Sequence, residues 1–225
     1  MLARTRSGCG TCAAVLGYGL SRMPAHPVSI VLASRSPRRS ELLGQLGITH
    51  HCVDANVDES HRAGESAEDY VQRLARAKAE AGLALWRRSN PSSQEPVLAA
   101  DTIVVIDIGD EEILLGKPKD RQDAISMLSR LSGRAHRVLT AICMTHGERC
   151  EQALSQTQVH FRQLTNDEIA AYWNSGEPAD KAGSYGIQGK AALFIEQIEG
   201  SYSGVMGLPL CETGLLLKRF GIDVM

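Results

Sequence analysis

Between positions 34 and 39 the chain reads Ser34-Arg35-Ser36-Pro37-Arg38-Arg39, three guanidiniums and two serine hydroxyls in six residues. The apolar run Ser29-Ile30-Val31-Leu32-Ala33 before it has the length of a buried strand, and Pro37 suits the first turn of a helix that stops at Gly47. Free backbone N–H groups at a helix start attract anions, whereas arginines there oppose the helix dipole unless an anion is present. A triphosphate would satisfy Ser34, Ser36, Arg38 and Arg39 together; a solvated basic turn is the plainer alternative.

Asp101 lies between two apolar runs, 97–100 and 103–108, where a casual surface carboxylate is not expected. A carboxylate at a strand end can hold a divalent cation or take a proton from an attacking water. Asp58 and Glu59 form a second acidic pair. Lys78 falls within the helical stripe Val71, Leu74, Ala81 and Leu85, so its ammonium either snorkels to solvent or meets a buried anion. Gly116-Lys117-Pro118 lacks the spacing of a phosphate loop, so Lys117 either reaches a phosphate as a point charge or marks a strand-to-helix turn. Residues 175–189 are polar and glycine-rich, a length that a compact domain tolerates chiefly for function. In that loop Tyr185 could stack on a base, and Gln188 could pair with a base edge.

Other spacings carry less. Cys9-Gly10-Thr11-Cys12 has no second pair, and Gly8-Cys9-Gly10-Thr11-Cys12-Ala13 lacks the strand that a dinucleotide fingerprint needs. His50 and His51 are expected on opposite sides of a strand and form no chelate.

These side chains need a scaffold. The 225 residues, 43% hydrophobic and 22% charged, suffice for one large domain or two joined lobes. A net charge of -2 gives no global field for nucleic acid or anionic membrane, so an anionic ligand requires a local cluster of cations. Six cysteines without a framework suit a reducing cytoplasm, and no apolar run reaches the roughly 20 residues of a membrane span. Residues 1–28 contain arginines and no acid, which fits a flexible extension, an upstream start codon read through, or a targeting peptide. Helices are expected from Pro37, from the Ser66/Asp69 cap to about Trp86, over 120–131, from the Thr165/Glu168 cap, and over 203–220. Strands are expected over 97–100, 103–108, 113–115, 135–145 and 149–162. The result is a mixed, partly antiparallel α/β sheet with flanking helices.

Taken in order, the blocks resemble the Maf family of nucleotide pyrophosphatases. Ser34-Arg35-Ser36-Pro37-Arg38-Arg39 is similar to its opening signature and Ala100-Asp101-Thr102 to its catalytic motif. Gly116-Lys117-Pro118, Ser132-Gly133 with His136, and the segment from Glu177-Pro178 to Asp180-Lys181-Ala182-Gly183 are also similar. The resemblance covers about residues 29–222, within a domain taken as 29–225. It implies two lobes around a deep cleft (a Maf/ITPase-like fold), often as a homodimer. Asp101 would be the proton acceptor and a ligand of Mg²⁺ or Mn²⁺, helped by Asp58 or Glu59. Arg38, Arg39, Lys78 and Lys117 would hold the triphosphate, while Arg38, Thr102 and Gln188 match positions tied to substrate choice. The loop from Asp180 to Gly189 is similar to the branch acting on dTTP and UTP rather than on 7-methyl-GTP. Implied, then, is a cytoplasmic hydrolase acting on a small nucleotide, with no nucleic-acid or membrane partner. A non-catalytic nucleotide-binding regulator is the alternative.

Overall fold

The computed structural model describes residues 29–224; the N-terminal extension and its cysteine pair lie outside the described residues. Seven strands form one sheet: β1 (Ser29–Leu32), β2 (Thr49–Cys52), β3 (Val97–Ile108), β4 (Glu111–Leu115), β5 (Ala135–His146), β6 (Arg149–Phe161) and β7 (Ile195–Glu199). The helices are α1 (Pro37–Gln45), α2 (Ala67–Ser89), α3 (Arg121–Leu131), α4 (Asn166–Asn174), α5 (Tyr202–Met206) and α6 (Leu210–Arg219). Strand order is β2-β1-β3-β5-β6-β7, with β4 on β3. The β2/β1/β3 pairs are parallel and the remainder antiparallel, as the mixed pattern predicts.

Two residues expected to interrupt the sheet do not. Asp101 and Thr102 pair with Ala141 and Thr140 of β5, so β3 runs unbroken through twelve residues. Its other edge does break. β1 pairs with β3 only at Val97 and Leu98, and β4 begins pairing at Val104. Between them, residues 99–103 present an edge without a partner strand.

Alternation then divides the core. On one face α2 lays Val71, Ala75 and Ala79 over Val31, Ala99, Leu139 and Ala141. On the other, α1 and α6 bury Leu42, Leu43, Leu216 and Leu217 against Leu32, Leu98, Ala100 and Ile142. Farther along that second face lies a separate cluster of Val104, Ile106, Leu128, Val138, Phe161 and Phe194. A polar row, Thr102–Thr140–Ser155 in cross-strand register, separates these two apolar clusters.

Several boundaries depart from expectation for physical reasons. The last helix is two, because Gly207 takes φ 114° and Pro209 lacks the N–H a continuous helix would use. Leu85, placed in the buried stripe, is 38% exposed; Gly82 is the buried position on that turn, since α2 approaches β1 too closely for a side chain. Residues 175–189 are a chain of short 3₁₀ turns, with Gly183 against Val104. Among the described residues no helix is long and apolar enough to cross a membrane.

Candidate active site

The notch in the sheet opens into a cleft of about 560 Å³, within the range of roughly 300–1,000 Å³ usual for small-molecule sites. Its lining carries six cations (Arg35, Arg38, Arg39, Lys78, Lys117, Lys181) against four carboxylates (Asp54, Glu59, Asp101, Asp180). The chain is net negative, yet here positive charge is in excess. That is the local concentration of cations an anionic ligand requires.

The β1–α1 turn forms one wall. Ser36 is the N-cap of α1, but its hydroxyl makes no capping bond, and the first turn contains no acid. The Ser34 hydroxyl accepts from the Ser36 N–H (3.1 Å) and from Arg39 Nη1 (3.4 Å). Arg38 crosses the cleft, donating from Nη1 to Asp180 Oδ2 at 3.0 Å. Arg39 turns inward and is fixed on three sides: Nε donates to the Gly207 carbonyl at 2.8 Å, Nη1 to Ser34, and Nη2 to Thr102 Oγ1 at 3.1 Å. Burial lowers its pKa, with Asp101 opposing, but a guanidinium remains charged in proteins.

From the opposite face, Lys78 settles the choice left open by sequence. Its ammonium is not snorkelling; Nζ lies 2.6 Å from Asp101 Oδ1 and 2.6 Å from Glu59 Oε1. Asp101 is 7% exposed. Burial pushes its pKa above the ordinary carboxylate value, and Lys78 and Arg39 only partly offset that. Glu59 is less enclosed. Burial there is outweighed by the hydrogen bond and charge of Lys78, with Lys117 and Arg39 adding, so its pKa falls. Two carboxylates thus differ in proton affinity around one ammonium.

Glu59 sits on a loop that α2 pins down. Tyr70 Oη donates to the Glu59 carbonyl at 2.8 Å. Arg73 donates to the Ser60 carbonyl and, through two nitrogens, to Glu65. Asp58, the other half of the acidic pair, does not line the cleft; its carboxylate accepts from the Ser60 N–H and hydroxyl.

Lys117 and Gln188 line the far wall. Tyr185 also borders the cleft, but it is 5% exposed, hydrogen-bonded to His136 Nε2 at 2.8 Å and edge-on to Phe161. It supports the wall rather than offering a free stacking face. His136 is held neutral, its pKa lowered to about 3 by burial. Sequence reasoning missed Tyr70, which the helical pattern gave no reason to place at a site, and Thr140, an ordinary strand residue until its register with Thr102 is known.

An open-edged α/β sheet, a basic helix start and a buried carboxylate–lysine pair thus meet in one cleft. The family model described as Maf-like protein matches residues 29–220, and the chain belongs to the Maf family. Among curated relatives, the dTTP/UTP pyrophosphatase of Hahella chejuensis is 50% identical over 87% of this chain and 94% of its own. That of Methylococcus capsulatus is 50% identical over 89% and 95%, and that of Aromatoleum aromaticum 52% identical over 85% and 95%.

Proposed function

We propose that this chain hydrolyses dTTP and UTP to the monophosphate and pyrophosphate, water attacking the α-phosphorus. The observation that carries the reading is the Glu59–Lys78–Asp101 constellation opposite the basic α1 turn. The buried Asp101 carboxylate, raised in pKa, takes the proton of the attacking water. Arg38, Arg39 and Lys117 offset the charge accumulating on the pyrophosphate leaving group, with Ser34, Ser36 and the α1 N–H groups receiving phosphate oxygens. Lys78 orients Asp101. Gln188 and Thr102 face the base.

A divalent cation, Mg²⁺ or Mn²⁺, fits this donor set. Asp101 and Glu59 each give one oxygen to the Lys78 ammonium, which holds the two carboxylates side by side, and Mg²⁺ is commonly held by one or two carboxylates with substrate phosphates and waters completing the shell. When bound, the ion supplies charge neutralisation on the triphosphate. The proposal extends to a cytoplasmic setting, a homodimer, and no nucleic-acid partner; the net charge of -2 supports the last.

Pyrophosphate release measured over UTP, dTTP, CTP, GTP and 7-methyl-GTP, with and without chelator, tests it. Turnover is expected for UTP and dTTP foremost and to vanish with chelator. A preference for 7-methyl-GTP would overturn the substrate assignment, and full turnover in excess chelator would remove the metal. No release from any nucleotide would leave a binding protein.

A further inference from the structure

The hydroxyl protons along the polar row of the sheet have a direction that the heavy-atom geometry fixes. Thr140 Oγ1 lies 2.8 Å from the Gly204 carbonyl, which can only accept, so the single Thr140 proton points there. Thr140 Oγ1 is also 2.9 Å from Thr102 Oγ1; with its own proton committed, it must receive the proton of Thr102. Arg39 Nη2, which can only donate, gives to Thr102 Oγ1 at 3.1 Å. The chain therefore runs one way, Arg39 to Thr102 to Thr140 to the Gly204 carbonyl. With the reverse order, Thr140 donating to Thr102, the Thr140 oxygen and the Gly204 carbonyl would face each other lone pair to lone pair at 2.8 Å, at a residue 1% exposed.

Thr102 lines the cleft and has one proton and two lone pairs. The proton goes to Thr140 and one lone pair to Arg39. What remains for a ligand is a single acceptor position. We propose that Thr140 is a specificity-positioning residue: by taking the Thr102 proton it makes Thr102 an obligate acceptor toward the base. An acceptor suits the ring N3–H of uracil or thymine, and it faces the bare N3 lone pair of cytosine with a second lone pair. This rests on the pyrimidine reading above. It adds a reason why two rings of equal size would be told apart, and gives that task to a buried residue that touches no substrate.

The test compares kcat/KM for UTP and CTP in the wild type, Thr140→Val and Thr140→Ser. Valine keeps the shape and frees the Thr102 hydroxyl to rotate and donate into the cleft. The UTP-over-CTP ratio should fall about tenfold or more in Thr140→Val, chiefly through KM, and persist in Thr140→Ser, because a site built on a hydrogen bond rejects the mismatched ligand strongly. A Thr140→Val protein that loses activity on both nucleotides by one factor, or loses none, overturns the proposal. The wild type provides an arm that needs no variant. UTP methylated at N3 should be poorly used, whereas the 5-methyl ring of dTTP is accepted; equal use of N3-methyl-UTP and UTP also overturns it. If the wild type does not favour UTP over CTP, the pyrimidine reading itself has failed. If it does and Thr140→Val leaves the ratio unmoved, only the role of Thr140 has.

Discussion

Asp101 and Thr102 are consecutive on β3, and their side chains leave opposite faces of the sheet. Asp101 Oδ1 meets Lys78 Nζ of α2 at 2.6 Å, while Thr102 Oγ1 meets Arg39 Nη2 at 3.1 Å on the side of α1 and α5. Inside a fully paired sheet such neighbours could not serve one ligand. Here β1 has left the edge of β3 and β4 has not yet joined it, so both side chains reach the same cleft from either side of an open edge. On the roles proposed for them, chemistry and base selection can therefore be altered separately.

The first prediction follows for the chemistry. Asp101→Asn preserves shape but removes the base, and turnover on UTP should drop by roughly 10²-fold or more. Lys78 retains Glu59 as a partner, so the fold should survive with an unchanged circular dichroism spectrum. A folded variant of near-normal turnover would hand the role to another group.

The pH dependence follows from the direction of the Asp101 shift. Burial raises its pKa, with Lys78 and then Arg39 opposing. A general base acts deprotonated, so activity is lost as pH falls through this raised pKa, at higher pH than an ordinary aspartate would give. Lys78→Met removes the largest opposing charge, so the acid limb of kcat/KM should move further up. A limb moving down would mean that a different group titrates.

How far the sequence reveals this site depends on whether a signal is local. The basic turn at α1 is written in six adjacent residues, and Lys78 stands out against its own helix's apolar stripe, so both are legible. Pairing is not local. Asp101-Thr102 resembles a break between strands because two polar residues interrupt an apolar run; only the partner β5, with Thr140 opposite Thr102, makes them strand interior. The helix expected over 203–220 fails at Gly207, whose positive φ places its carbonyl on Arg39, 168 positions earlier. Asp58 and Glu59 cannot be ranked from composition, since the Tyr70 bond to the Glu59 carbonyl helps fix how the loop lies and which of the two faces Lys78.

Close packing between α2 and β1 yields a third prediction. In an exposed helix Gly→Ala is favourable by about 1 kcal/mol. At Gly82 the added Cβ would stand 2.5 Å from Ala33 Cβ and 3.2 Å from Val97 Cγ1, both core positions that cannot swing aside. Overpacking costs typically 1–3 kcal/mol and should win, because neither neighbour can give, leaving Gly82→Ala less stable by up to roughly 2 kcal/mol in urea unfolding. Lys78 is one turn away, so turnover should also decline. A stabilised variant would show that α2 can shift at little cost.

The fourth prediction concerns the wall that carries Gln188. Tyr172, 3% exposed, anchors the turns between 177 and 189 through one oxygen: its hydroxyl donates to Glu177 Oε1 at 2.8 Å and accepts from the Gly186 N–H at 3.1 Å. The other Glu177 oxygen accepts from the Lys190 N–H at 2.9 Å, and Lys181 Nζ reaches back to the Glu177 carbonyl at 2.6 Å. Tyr172→Phe strands the Gly186 N–H in a buried position, a cost of about 1–3 kcal/mol. For a chain of this size that is a fall in Tm of about 2–4 °C for each kcal/mol. The site effect should exceed the global one, because Gln188 lies two residues past the freed N–H while Asp101, Lys78 and Arg39 sit on other elements. KM for UTP should rise more than kcat falls, and the advantage of UTP over purine triphosphates should shrink. Steady-state kinetics on UTP and GTP, beside a melting curve, separates the outcomes. A lowered Tm with KM unchanged would mean that the Gln188 side of the cleft holds its shape without Tyr172, and that base recognition is fixed from the Thr102 side alone.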